Sequence, residues 1–119
     1  MSDCIFCRIV RGEIPCKKVY EDETMLAFHD IHPWAPVHVL IIPKEHIVSL
    51  ATVDATNEAV LGKIFARTGE IARSQGLGDG FRTVINSGRI SNQEVYHLHL
   101  HILGGPEPLG GSLKPMTKK

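Results

Sequence analysis

The sequence predicts an α+β fold in which an antiparallel sheet packs against one principal helix. Three observations carry this prediction. Short apolar, β-branched runs fill the first third of the chain, the period turns helical over residues 54–75, and two further strand-like runs follow. The order is therefore strand, strand, strand, helix, strand, strand. No internal repeat or low-complexity segment interrupts it, so one domain is expected over residues 1–109, with 110–119 as a C-terminal tail.

Residues 17–20 and 24–29 read as strands flanking the polar turn Glu21-Asp22-Glu23. Beyond Asp30, Ile31-His32-Pro33-Trp34-Ala35-Pro36 carries two prolines and reads as a rigid connector. Val37-His38-Val39-Leu40-Ile41-Ile42 is nearly all apolar and β-branched, as a central strand is, and Pro43 ends it. Within 54–75, Leu61, Ile64, Phe65, Thr68 and Ala72 fall on one helical stripe, while Lys63, Arg67, Glu70 and Arg73 lie elsewhere. Asp54 is the expected N-cap and Gly76 the expected stop. Residues 81–86 and 95–103 read as the last two strands.

Thirteen Lys and Arg balance thirteen Asp and Glu, so the basic excess of a nucleic-acid partner is missing. At 43% hydrophobic residues the chain can build a core without disulfide staples. No apolar run approaches the roughly 18 residues of a membrane span. Met1-Ser2-Asp3-Cys4 lacks the basic-then-apolar pattern of a signal peptide, and a cytoplasmic protein is expected. Cys4, Cys7 and Cys16 are an odd and poorly spaced disulfide framework.

His97-Leu98-His99-Leu100-His101 is the informative segment. On a strand all three imidazoles share one face, spaced by roughly 6.5–7 Å, while Leu98, Leu100 and Ile102 cover the core from the other. Three readings are open: a solvated polar face, a metal site, or nucleophilic catalysis, in which an imidazole attacks phosphorus and splits one hard displacement into two. Cys4-Ile5-Phe6-Cys7 is a C-x₂-C pair that two thiolates of one metal could use, or two cysteines that simply pack. His38 on an apolar strand reads equally as a satisfied core histidine, Asp30 as a turn former, and His46 as a solvated loop residue.

The run Tyr96 through Gly105 resembles the His-x-His-x-His-x-x signature of the histidine triad (HIT) family, and is most similar to its Hint branch of nucleoside phosphoramidate hydrolases. Ile5-Phe6, Gly12-Glu13-Ile14-Pro15, Ala27-Phe28-His29-Asp30-Ile31, His38 through Pro43 and Asn86 follow the family's order and spacing. The resemblance implies a short N-terminal helix beside the long one, and a homodimer whose sheet continues across the interface. It makes His99 the nucleophile toward the α-phosphate of a purine nucleotide, with a covalent nucleotidyl-histidine intermediate. His101 would stabilise the phosphate oxygens, and His97 and His38 would support the nucleophile. Asp30 would accept the ribose hydroxyls. Ile9, Ile31 and Leu40 would line the base pocket, with Asn86, Glu94 and Val95 completing the nucleotide site.

Some HIT proteins carry a structural zinc, and the corresponding ligands here are Cys4, Cys7, His46 and His97, a closed set with no open position. If His97 binds metal, it tethers the triad to the N-terminus. Ser91-Asn92-Gln93-Glu94 stands where many Hint relatives have Gly-Gly-Gln-Ser/Thr, which leaves protonation of the leaving group either to Glu94 or to a group elsewhere. The rival readings are a dinucleoside polyphosphate hydrolase, as in the Fhit branch, and a nucleotide-binding interaction protein with weak catalysis. The Gly104-Gly105 ending favours the Hint branch over Fhit.

Overall fold

The computed structural model describes residues 4–111. Residues 112–119, which make up most of the expected tail and include Lys114, Lys118 and Lys119, lie outside the described residues. Strands β1 (Lys18–Glu21) and β2 (Met25–His29) pair antiparallel about Asp22. Asp22 Oδ1 closes the turn by accepting the peptide N–H groups of Thr24 and Met25 at 2.7 and 3.0 Å. Glu21 belongs to β1 rather than to the turn, and meets Lys18 and Lys44, each at 2.7 Å. Those two ammonium groups hold its carboxyl down to about 2.

The apolar run forms β3 (Val37–Pro43), buried at every position after Val37, with Pro43 its last residue. It lies between β2 and β5 (Leu100–Gly104), and β4 (Arg82–Ile85) closes the sheet beyond β5. The order is β1-β2-β3-β5-β4 with every pair antiparallel. Register sets Ala27, Ile41, Leu100 and Ile85 side by side on one face. Phe28, Leu40, His101 and Val84 line up on the other.

The first face is covered by helix α2 (Glu58–Ser74), whose Ile64, Ile71 and Ala72 join Met25, Val39, Ile41, Leu100 and Ile102 in an aliphatic core. Each of these side chains larger than alanine contributes about 1.5–3 kcal/mol through burial. The second face meets the short helix α1 (Ile5–Val10), where Phe6 packs against Leu26, Phe28, Leu40 and Ile42. The expected short N-terminal helix is thus present.

The helix departs from the sequence expectation in two ways. Asp54 caps a separate 3₁₀ turn (Ala55–Asn57), accepting Thr56 N–H at 2.9 Å, and α2 proper starts at Glu58. Phe65 faces outward with 54% of its surface exposed, since the buried stripe is Ile64, Thr68, Ile71 and Ala72. Buried Thr68 satisfies its hydroxyl by donating it to the Ile64 carbonyl at 2.9 Å. The stop at Gly76 is as expected. Its φ of +82° lets Gly76 N–H reach Arg73 and Leu77 N–H reach the Ala72 carbonyl, which closes the last turn.

The last strand carries the main correction. Residues 95–99 are not strand, and β5 begins only at Leu100. Leu98 N–H bonds the Ile47 carbonyl at 2.6 Å instead of pairing in the sheet, which turns His97 away from the face that holds His101. Leu98, Leu100 and Ile102 are buried as expected. Among the described residues no helix is long and apolar enough to cross a membrane.

Candidate active site

His99, His101 and His38 form a cluster whose protonation follows from partners that can only donate or only accept. Trp34 peptide N–H donates to His38 Nδ1 at 3.0 Å, so the proton of neutral His38 sits on Nε2. That Nε2 lies 2.8 Å from His101 Nδ1, which must therefore accept, and 3.5 Å from Asp30 Oδ2. The proton of His101 is then on its own Nε2, a buried atom without a partner. His99 Nδ1 donates to the His97 carbonyl at 2.8 Å, leaving the lone pair of His99 on Nε2.

Burial disfavours the charged form of all three rings. It pushes His38 and His99 below the usual histidine value, and His101 down to about 4 with the help of neighbouring His99 and His38. The cluster is neutral near pH 7. It pairs an unprotonated nitrogen nucleophile with an N–H donor, the two rings 4.9 Å apart. That combination suits attack on an electrophilic phosphorus whose oxygens need a donor.

His99 and His101 open onto a pocket of about 580 Å³. Ile9, Asp30, Ile31, Leu40, Asn86, Glu94 and Val95 line it too, so every residue expected to contact nucleotide borders one cavity. Ile9 comes from α1, Leu40 from β3, Asn86 from the end of β4, and Glu94 and Val95 from the loop before β5. Asp30 is held at the mouth because its Oδ1 accepts His32 N–H at 2.7 Å and its own N–H bonds the His38 carbonyl at 3.0 Å. Ile31 is 85% exposed, a wall that only a ligand or another chain would cover.

His97 does not border this pocket. Its Nε2–H donates to the Pro43 carbonyl at 2.8 Å, so its lone pair is on Nδ1, which points at two thiols. Cys4 Sγ lies 3.3 Å away and Cys7 Sγ 3.6 Å, and Cys7 Sγ is 3.2 Å from His46 Nδ1. The four donor atoms lie within 4.8 Å of one another. Two sulfurs and two imidazole nitrogens are a tetrahedral donor set, and a ligand histidine whose other N–H bonds a carbonyl is the orientation such a site needs. The residues fit a metal ion.

Asp30, His38 and His101 also bring three donor atoms within 4.8 Å. Here the fit fails, because His38 Nε2 carries the proton shared with His101 and has no lone pair to offer.

Three residues that sequence reasoning left without a role belong to the site. Phe6 presents its ring edge-on to both His97 and His99, at centroid distances of 5.8 and 5.1 Å, and so wedges the metal-type cluster against the pocket. Gln93, 5% exposed, ties the loop before β5 together. Its Oε1 accepts Gly88 N–H at 2.7 Å, and its Nε2 donates to the Val48 and Val95 carbonyls at 2.8 and 3.0 Å. Trp34 stacks on His101. A polar residue inside a loop and an aromatic between two prolines were the available signals, but neither names its partner.

The sequence matches the HIT domain family over residues 11–107. Protein HitA of Neisseria gonorrhoeae is 51% identical over 106 residues, which are 89% of this chain and 99% of that protein. Among solved structures, a HIT family hydrolase from Legionella pneumophila superposes with a TM-score of 0.85 at 46% identity, covering 88% of this chain and 95% of that one. A histidine triad nucleotide-binding protein from Candida albicans is 32% identical, with a TM-score of 0.77 over 92% of this chain and 86% of that one.

Proposed function

This chain belongs to the histidine triad (HIT) family, and on that premise we propose that it is a hydrolase of purine nucleoside phosphoramidates with His99 Nε2 as nucleophile. The observation that carries the reading is the His99 Nδ1–H bond to the His97 carbonyl, which leaves the attacking lone pair on Nε2 of a ring that borders the pocket. The lone pair forms an N–P bond as the P–N bond to the leaving amine breaks. The amine departs with that electron pair and takes up a proton, relayed from water by Glu94 at the pocket wall in our reading. Water then displaces His99 from phosphorus, giving the nucleoside monophosphate and the free imidazole.

His101 donates its unpartnered Nε2–H to a phosphate oxygen, and His38 holds His101 in that tautomer. Asp30 takes the ribose hydroxyls, and Ile9, Ile31 and Leu40 take the base. His97 acts through its carbonyl and its place in the metal-type cluster. Cys4, Cys7, His46 and His97 would hold a structural zinc, which supplies cross-linking of the N-terminus to the triad and no chemistry on substrate. Three free thiols suit a reducing compartment such as the cytoplasm. One folded unit spans residues 1–109 in this reading. A homodimer would extend the sheet through β4, an edge strand with Phe81 exposed beside it and Phe65 exposed on α2.

Turnover of a fluorogenic adenosine phosphoramidate by the parent, beside His99→Ala and His99→Asn, tests the chemistry. Both variants are expected to lose on the order of 10³-fold or more in kcat. Saturable AMP binding with no turnover by the parent would replace the enzyme with a nucleotide-binding module.

A further inference from the structure

Trp34 is the chain's only tryptophan, set between Pro33 and Pro36 in the connector that leads into β3. Its indole lies nearly flat on His101, with ring centroids 4.4 Å apart and planes 20° apart, and it leans on His38 at 4.8 Å. Its peptide N–H is the donor that sets the His38 tautomer. One residue thus touches the His38–His101 pair twice, once by backbone and once by side chain. The connector is pinned from outside as well. A Cβ on Gly105 would come within 2.9 Å of Pro36 Cγ, so the glycine is what lets the end of β5 close against it.

Core packing does not account for the indole, which is 58% exposed. His101 supplies a better account. Its ring has one hydrogen bond, at Nδ1, and a ring held at one atom can still rock about its side-chain torsion. A flat aromatic neighbour restricts that rocking and keeps water from the ring face. A donor that serves a transition state works best when its direction is set before substrate arrives.

We propose that Trp34 is a positioning residue whose indole clamps His101, keeping its unpartnered Nε2–H aimed into the pocket at an oxygen of the nucleotide α-phosphate. This rests on the phosphoramidase reading for its kinetic consequence only. Charge gathers on the phosphate oxygens in the transition state, so loss of the clamp falls on kcat rather than on KM.

The experiment compares the parent with Trp34→Leu and Trp34→Phe on the fluorogenic adenosine phosphoramidate, with active enzyme counted from the leaving-group burst. Trp34→Leu is expected to lower kcat about tenfold with KM within about twofold, and Trp34→Phe to recover most of it, since a flat ring is restored. An unchanged kcat in Trp34→Leu, an effect confined to KM, or equal losses in both variants overturns the proposal. A readout that needs no turnover runs beside it, with the histidines labelled with ¹⁵N. The His101 Nε2–H is expected to exchange slowly in the parent and to shift on addition of AMP, and to be lost to fast exchange in Trp34→Leu. If the parent turns over no phosphoramidate, the proposed reaction falls and this readout alone decides the clamp. A His101 proton equally protected in parent and Trp34→Leu, or one that AMP leaves unmoved in the parent, rejects it.

Discussion

Two clusters of ligand-type residues each take in one histidine of the triad and are built for opposite ends. Cys4, Cys7, His46 and His97 converge their donor atoms within 4.8 Å, and so do Asp30, His38 and His101. In the first, a carbonyl takes the His97 proton on Nε2 and turns a bare Nδ1 toward the thiols. In the second, a peptide N–H fills His38 Nδ1 and puts the proton between the two imidazoles. One backbone group, acceptor in one case and donor in the other, separates a set of lone pairs turned toward one centre from a chain of hydrogen bonds that ends at the unpartnered Nε2–H of His101. Proximity of ligand-type side chains is a poor guide to metal binding until the tautomers are worked out.

The sharpest break of this comparison is a pair of single variants. His38→Ala is expected to lower kcat on the order of 10²-fold, because His101 loses the partner that fixes its proton, with bound zinc unchanged by elemental analysis. Cys4→Ser should do the reverse. The metal is lost and Tm falls by roughly 10 °C, while kcat per folded molecule stays within a few-fold. Zinc loss in His38→Ala, or a collapse of kcat in folded Cys4→Ser, would mean that the two clusters act as one.

Acid should act on the second cluster through His101. Its folded value is about 4 against an ordinary 6.5, so between these the unfolded chain binds more protons than the folded one. The stability that His101 allows is therefore complete above about 6.5 and is lost progressively as pH falls toward 4. Urea unfolding of the parent and of His101→Gln at several pH values checks this. The difference between the two should shrink or reverse on acidification, and parallel curves would refute it.

The smallest effect sharpens the first cluster from within. His46 is the exposed member of this donor set and His97 the fully buried one, so with zinc as the proposed occupant His46→Ala should weaken it by about tenfold and cost only a few degrees in Tm. A loss as deep as that of Cys4→Ser would show that exposure does not grade these ligands.

Much of the frame was legible in the chain because it rests on local rules. The apolar run at 37–42 became the buried β3, the helical period became α2, and the C-terminal glycine became the left-handed residue that ends it. The triad itself was legible as an alternation, but its geometry was not. Alternation would place His97, His99 and His101 on one strand face, whereas the bond from Leu98 N–H to the Ile47 carbonyl delays β5 until Leu100 and sends His97 elsewhere. Phe65 failed for a related reason. A stripe drawn from periodicity is wider than the groove that the sheet offers, and only packing says which edge is left in solvent.

What the sequence by itself determined is the order of the principal elements and the identity of the residues that gather at the pocket, because turn chemistry, side-chain period and motif spacing act over a few residues. Which nitrogen of each imidazole is bare was decided only by tertiary structure. Two of the answers depend on groups distant along the chain: the Pro43 carbonyl for His97, 54 residues away, and His38 for His101, 63 residues away. A histidine written in a sequence is either acid, base, ligand or nucleophile, and it becomes one of them when folding brings a donor or an acceptor to its other nitrogen.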